Sequence, residues 1–401
     1  MKDGWVAERL GNVTSKIGSG ATPRGGEESY KSDGTSLIRS LNVFDDGFRA
    51  AKLARIDEEQ AARLSNVVVE PNDVLFNITG ASVARCCLAP TQFMPARVNQ
   101  HVAIIRPIPR RLDPAFLRYL LISDAYKTRL LQTGEAGSTR QAITKAQLQD
   151  LAIEFPQSLA EQQRIVGILD ETFEGIAAAR ENAEKNLRNA RAIFESHLQS
   201  VFTQRGEGWA VRAIADVAKH SLGKMLDKAK NKGEPKPYLR NFNVRWFEFD
   251  VSDVNEMGFL PQEAAKYTAV KGDVLICEGG YPGRAAIWDR DEPIYFQKAI
   301  HRVRFHEPEH GKWFLYYLYS QDRSGELKRH FSGTGIQHFT GEALARFPLP
   351  LAPLPALRRA VAKFEEFSAE TQHLESVYNR KLVALGELKA SLLHQAFSGG
   401  L

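Results

Sequence analysis

Two copies of one pattern lie about 200 residues apart in this 401-residue chain, and that duplication limits the possible folds more than any other feature. Gly4-Trp5 returns as Gly208-Trp209, and Leu10 and Val13 return as Ile214 and Val217. Ile38-Arg39-x-x-Asn42-Val43 returns as Leu239-Arg240-x-x-Asn243-Val244. Pro71-Asn72-Asp73-Val74-Leu75 matches Lys271-Gly272-Asp273-Val274-Leu275, and Phe116-Leu117-x-Tyr119-Leu120 matches Phe314-Leu315-x-Tyr317-Leu318. Towards the end of each copy, Gly137-Ser138-Thr139-Arg140-Gln141 matches Gly333-Thr334-Gly335-Ile336-Gln337, and Thr144 matches Thr340. The order never breaks, and the offset drifts only from 204 (Gly4 to Gly208) to 195 (Leu198 to Leu393). Such a period is far above that of a solenoid unit, so each copy is a module of domain size.

Each module changes texture once. Its first part carries short β-like runs, such as Val74-Leu-Phe-Asn-Ile78 and Val102-Ala-Ile-Ile105, broken by Gly, Pro, Asn and Asp. Helical stretches are expected at 114–131 and 312–329. The second part reads as one long helix: 159–203 has no proline and glycine only at 167 and 175. Apolar residues there follow two heptad series, Leu169, Ile176, Ala183, Ala190 and Val166, Phe173, Leu187, Phe194, Val201. Residues 356–397 repeat this with Phe364, Tyr378, Leu385, Leu392 and Phe367, Leu374, Leu388. A seam that narrow demands a partner helix. Each helix would be roughly 60 Å long, and the simplest partner is the other copy, packed antiparallel. The alternative is that each helix packs on its own domain. The expected fold class is α+β, with two pseudo-twofold-related domains separated by two long antiparallel helices in a coiled-coil spacer. The expected domains are 1–155 and 205–352, each a reading domain, with spacer helices at 156–204 and 353–401.

Composition closes off several function classes. Hydrophobic residues are 43% and charged residues 25%, as in an ordinary folded protein. The net charge of +5 and a pI near 8.9 permit a nucleic-acid partner without requiring one. The three cysteines include no Cys-x-x-Cys pair, which argues against a disulfide framework or zinc ribbon and for a reducing, cytoplasmic setting. The opening Met-Lys-Asp-Gly-Trp lacks the apolar core of a signal peptide, and no run of about 18 apolar residues is present.

No catalytic motif survives scrutiny. An adenine methyltransferase grips a flipped base with an Asn/Asp-Pro-Pro-aromatic motif, and this sequence has no Pro-Pro dipeptide. Gly18-Ser-Gly20 meets Pro23 where a dinucleotide fingerprint needs glycine, and Gly223-Lys224 lacks the first glycine of a phosphate loop. Glu326-x-Lys328 has no Pro-Asp companion, and such triplets on helices are usually solvated faces. His306-x-x-x-His310 lies in a Pro/Glu loop with no cysteine nearby, so exposed loop histidines are expected rather than a metal site. Neither catalytic residues nor metals nor cofactors are expected. Asn77-Ile78-Thr79 would be a glycosylation acceptor only in a secreted protein.

This plan, two variable domains each followed by a long helix, resembles the specificity subunits of type I restriction–modification systems. The blocks that carry the resemblance span the chain: Gly4-Trp5 with Leu10-Gly11, the Asp73-Val74-Leu75 and Asp273-Val274-Leu275 runs, and Asn99-Gln100-His101-Val102 with Phe296-Gln297-Lys298-Ala299. Gln141-x-x-Thr144, Gln337-x-x-Thr340 and Pro156-Gln-Ser-Leu-Ala-Glu-Gln-Gln-Arg164-Ile165-Val166 complete the set. The second copy keeps Pro350 and Arg358 at the separation of Pro156 and Arg164 but loses the Glu-Gln-Gln. The resemblance implies a non-catalytic subunit that reads a bipartite, asymmetric site on double-stranded DNA. It implies modification subunits, two of them, that methylate adenine N6, and restriction subunits joined through the complex. No membrane partner is implied.

DNA affinity would come from Lys and Arg on phosphates, and specificity from side chains at base edges. The best basic cluster spans 219–245, with Lys219, Lys224, Lys228, Lys230, Lys232, Lys236, Arg240 and Arg245 against two acids, Asp227 and Glu234. Its Gly/Pro/Asn texture suggests an exposed loop, which could equally be only solvated. A sparser equivalent in the first module comprises Lys16, Ser19, Thr22, Arg24, Lys31 and Arg39. Three repeated loops supply the other candidates: Ser82 and Arg85 with Tyr281 and Arg284, Gln100 and His101 with Lys298, and Thr139 and Arg140 with Gln337. Gln and Asn suit adenine and Arg suits guanine, although Gln100, Gln297, Gln141 and Gln337 could instead satisfy buried backbone groups. Residues 14–37 and 218–238 differ between copies, which implies two unlike half-sites with the helices setting their gap. A stand-alone DNA-binding regulator is the alternative, and an enzyme with an unseen motif the third reading.

Overall fold

The computed structural model describes residues 4–135, 142–227, 231–398 and 400–401, without the side chains of 133–135. The chain divides into two compact units, Met1–Ala183 with Arg380–Leu401, and Glu184–Asn379. Both are α+β.

In the first unit an antiparallel sheet runs in the order Thr14–Ser19, Val102–Pro107, Val74–Asn77, Cys86–Leu88. Alternation along these strands sends Val74, Phe76, Cys86, Ala103 and Ile105 into one core and Leu75, Cys87, Val102 and Ile104 into another. A sheet covered on both faces explains why the strands read as continuous apolar runs rather than alternating ones. The first core is closed by the helix Pro114–Ile122, the second by a small sheet ordered Ala54–Ile56, Thr35–Ile38, Ala96–Val98.

The second unit repeats the frame, with its sheet ordered Ala218–Leu222, Ile300–Phe305, Val274–Cys277, Ala285–Ile287. Val274, Ile276 and Val303 face one core, and Leu275, Cys277 and Ile300 the other. In both units the opening strand pairs with the strand that leads into a long helix: Trp5–Arg9 with Ala152–Pro156, and Ala210–Ala213 with Pro348–Leu351.

The helix expected at 114–131 is broken. Ser123 is extended, with its hydroxyl on the Leu120 carbonyl at 2.7 Å, and Pro114–Ile122 gives way to Asp124–Glu135. The helix expected at 312–329 ends at Arg323, where Gly325 (φ +80°) turns the chain into a 3₁₀ segment, Glu326–His330.

The long helices are Leu159–Thr203 and Leu354–Ser398, 45 residues each. Each buries its two ends in different units. Ile165 and Leu169 of the first helix lie in the core of the first unit, whereas its Leu198 and Phe202 lie in the core of the second. Reciprocally, Leu357 and Phe364 of the second helix belong to the second unit, and its Leu393 and Ala396 to the first. Within the second unit the helical segments run antiparallel: Arg191 meets Glu375 at 2.5 Å, His197 faces Phe367 at 4.7 Å and Phe202 faces Phe364 at 5.7 Å. Within the first unit Lys389 sits over the Phe173 ring at 4.9 Å. Helix-on-helix and helix-on-own-domain packing therefore coexist. The second helix departs from its heptad pattern, because Leu374 and Leu388 are exposed.

Candidate nucleic-acid interface

Three loops converge in each unit through the same backbone clamp. In the first, Ile78 N–H donates to His101 O at 3.0 Å and Ile143 N–H donates to Ile78 O at 2.8 Å. In the second, Glu278 N–H donates to Ala299 O and Phe339 N–H to Glu278 O, both at 2.8 Å. Glycine is required where the chain leaving the edge strand crosses this clamp. A Cβ on Gly20 would lie 1.8 Å from Val98 O, and one on Gly223 2.4 Å from Gln297 O. Gly20 is thus a close-approach residue, not a remnant of a nucleotide fingerprint, whereas a Cβ on Gly18 would meet nothing within 4 Å.

In the first unit the clamp carries a polar chain. Thr22 Oγ1 donates to Gln100 Oε1, Gln100 Nε2 lies 3.1 Å from His101 Nε2, and His101 Nδ1 lies 2.6 Å from Thr79 Oγ1. With the Gln100 amide donating to Nε2, the ring proton sits on Nδ1 and points to Thr79. Gln100 is exposed and keeps one N–H and one oxygen lone pair for an outside partner, the pair adenine demands. Thr79, met in the sequence only as the end of a glycosylation triplet, is the orienting end of this chain. Ser19 is half-buried at its strand end, Arg24 is exposed, and Lys31 is exposed beside Asp57 at 3.5 Å. Ser82 is half-buried, its carbonyl holding Arg85 N–H at 3.2 Å, and the Arg85 guanidinium stacks 5.0 Å from the Phe44 ring.

The second unit presents other chemistry on the same clamp. Lys298, Gln337, Tyr281 and Ile336 are exposed there, Ile336 at 75%. Tyr281 donates to Asp322 at 3.3 Å and lies 5.2 Å from the Arg284 guanidinium. Lys232 is exposed, Lys236 pairs with Glu234 at 2.9 Å, and Arg245 is half-buried with its guanidinium on Phe242 O.

Several candidates are structural posts. Lys224 is buried, its ammonium on Gly258 O at 2.9 Å and Glu263 at 2.5 Å, so it cannot reach a phosphate. That contact holds the Glu263 carboxyl below its ordinary range. Arg39 spends its guanidinium on Glu27 and Lys52 O, both at 2.7 Å, and Arg240 spends its own on Asp253 O at 2.9 Å. Nor is 219–245 one loop: Lys219 and Lys236 stand on the strands Ala218–Leu222 and Glu234–Leu239. Pro235 and Pro237 fit the latter because its other neighbour pairs only with Tyr238 and Leu239. Thr139, Arg140, Lys228 and Lys230 lie outside the described residues.

The repeated blocks turn out to be scaffolding. Asp73 takes Arg106 bidentately at 2.7 and 2.9 Å, and Asp273 takes Arg304 at 2.7 and 2.6 Å. Thr144 and Thr340 cap short helices, accepting from Gln147 N–H and Ala343 N–H. Gln162 is buried and donates to Arg111 O and Pro156 O at 3.0 and 2.8 Å. The second copy lacks this glutamine, and Trp313 Nε1 serves the equivalent Pro350 O at 2.6 Å instead.

The reactive groups are buried. Burial pushes all three thiols up, Cys87 to about 12 and Cys277 to about 11, which makes them poor nucleophiles. Burial likewise lowers His310, whose ring packs 6.2 Å from Phe305. Among the described residues no three His, Cys, Asp or Glu side chains are grouped to hold a metal ion, and no helix is long and apolar enough to cross a membrane.

Comparison with known proteins agrees with this frame. The family model for the type I restriction modification DNA specificity domain matches twice, at residues 2–186 and 206–381. A chain solved in work on complex assembly and conformational transition of the type I R-M system is 18% identical with a TM-score of 0.79, over 100% of this chain and 99% of that one. The HsdS subunit from Thermoanaerobacter tengcongensis is 19% identical with a TM-score of 0.64, over 100% and 98%. No curated protein sequence matches. Two consecutive matches over most of its length mean that the chain belongs to the type I restriction modification DNA specificity domain family.

Proposed function

We propose that this chain is the DNA-reading subunit of a type I restriction–modification complex, each unit reading one half of a bipartite, asymmetric site. In this reading it carries no chemistry of its own. Modification subunits bound to it methylate adenine N6, and restriction subunits join through the complex. The observation that carries the proposal is one clamp built twice with different chemistry on it: Gln100 and His101 in the first unit, Lys298, Tyr281 and Ile336 in the second. Unlike surfaces on like frames suit unlike half-sites, while the exposed Lys232 and Arg24 suit phosphates. The long helices, about 68 Å each at 1.5 Å per residue, serve as the spacer. Their exposed Ile193, Leu374, Val383 and Leu388 suit partner helices.

The test is reconstitution. The chain with its modification subunits should methylate adenines in one bipartite sequence, and the modification subunits alone should not. Exchanging residues 14–37 for the equivalent segment of a relative with another specificity should change one half-site only. A change in both half-sites, or methylation without the chain, would overturn the proposal.

A further inference from the structure

Leu41 and Phe242 stand at the same position of the two copies, in the middle of the turns Ser40–Asn42 and Asn241–Asn243. Each exposes a large apolar side chain, 40% for Leu41 and 36% for Phe242. The turns beneath them are locked from both sides. Asn42 Oδ1 accepts Arg39 N–H at 3.1 Å while its amide donates to Arg49 O and Ala51 O. Asn243 Oδ1 accepts Arg240 N–H at 2.9 Å while its amide donates to Asp250 O and Asp253 O. Both asparagines are fully buried. The turns are also tied to the loop cluster: Asn77 Nδ2 donates to Ser40 O at 2.9 Å, and Asn241 Nδ2 donates to Gly279 O at 3.1 Å.

A single exposed leucine is ordinary on a protein surface. Two different apolar side chains recur at one position, each on a braced turn beside a candidate reading surface; the Arg240 guanidinium covers one face of the Phe242 ring at 4.1 Å, and the exposed remainder of each side chain is open to a partner. The depth of exposure selects its kind. A wedge that unstacks bases must project from the surface, whereas these side chains are more than half covered. The apolar feature that a DNA groove offers at its floor is the thymine 5-methyl group. We infer that Leu41 and Phe242 are specificity-determining residues, each packing on a thymine methyl in its own half-site. This rests on the DNA-reading function proposed above.

The test uses the full chain with its modification subunits and a duplex carrying the site mapped from N6-methyladenine in the host DNA. Thymines are replaced singly by deoxyuridine, which lacks the methyl. The wild type should bind roughly fourfold more weakly at one such position per half-site, the worth of one buried methyl group. Phe242→Ala should bind the thymine duplex more weakly and be indifferent to deoxyuridine at its position, and Leu41→Ala should do the same for the other half-site. Phe242→Leu should keep the sensitivity. Alanine variants with wild-type affinity and wild-type deoxyuridine sensitivity would overturn the inference while leaving the DNA-reading function intact. A wild type that does not prefer the site over a scrambled duplex would overturn both.

Discussion

Phe202 belongs to the first copy of the repeat by sequence and to the second unit by packing, and that mismatch can be tested. Its ring is 4% exposed, with the rings of Trp313, Tyr317 and Phe364 at 4.8, 5.0 and 5.7 Å. Phe202→Ala empties that space, and such truncations cost about 3–5 kcal/mol. At a urea slope of about 2 kcal/mol per molar, the unfolding midpoint of the second unit should fall by about 2 M. Tryptophan fluorescence reads this directly, because Trp209, Trp246, Trp288 and Trp313 are in the second unit and only Trp5 is in the first. The counterpart Phe397 packs 5.4 Å from Phe116 in the first unit. Phe397→Ala should leave the fluorescence transition in place and speed amide exchange in the strands Val74–Asn77 and Val102–Pro107. If Phe202→Ala left the tryptophan transition unmoved and loosened the first unit's strands instead, the exchange of helix ends would be wrong.

Three further outcomes are expected. Lys224→Met should destabilise the second unit by about 1–3 kcal/mol in urea melts, by leaving Gly258 O without its side-chain donor and Glu263 with only Leu260 N–H, and should leave the salt slope of DNA binding unchanged. Arg24→Ala and Lys232→Ala, both at exposed sites, should each weaken binding equally across sequences and lower the slope of log K against log salt by about 1, as read by titration at several salt concentrations. Burial first, and then His220, lower His301 to about 4 from its ordinary 6.5. The unfolded chain therefore takes up the proton first as the pH falls, and stability present above 6.5 is lost between 6.5 and 4, by about 3 kcal/mol at the acid end. His301→Ala should flatten that stretch of the pH–stability curve. An unchanged slope would assign the acid sensitivity elsewhere.

The long helices were legible because proline-free heptads leave few alternatives, and Leu159–Thr203 spans the proline-free stretch inside the expected 156–204. What periodicity could not show is that a helix may serve two cores. Leu198 and Phe202 satisfy the same pattern whether they face a helix or a domain, so their burial in the second unit is a tertiary fact. The lysine-rich segment misled for another reason. Composition cannot distinguish a lysine that ends in solvent from one whose ammonium meets Glu263 across 39 positions, and alternating prolines mask a strand that is paired on one side. The break at Ser123 had no signal beyond the serine itself.

The repeat also acts as a filter on which charged residues can read DNA. A side chain that recurs at the same position in both copies performs a task common to both, and the common task is holding the backbone. Arg39 and Arg240 brace the same turn, and Asp73 and Asp273 grip the equivalent Arg106 and Arg304. Half-sites that differ cannot be told apart by residues that do not. In the proposed reading the discriminating groups are those whose frame recurs and whose chemistry changes: Gln100 and His101 against Lys298, Ala81 against Tyr281, Leu41 against Phe242. Recurrence, which makes the duplication visible, thereby argues against readout by the residues that display it. Substituting Arg39 or Arg240 should consequently lower stability, whereas substituting the divergent set should change which bases are chosen.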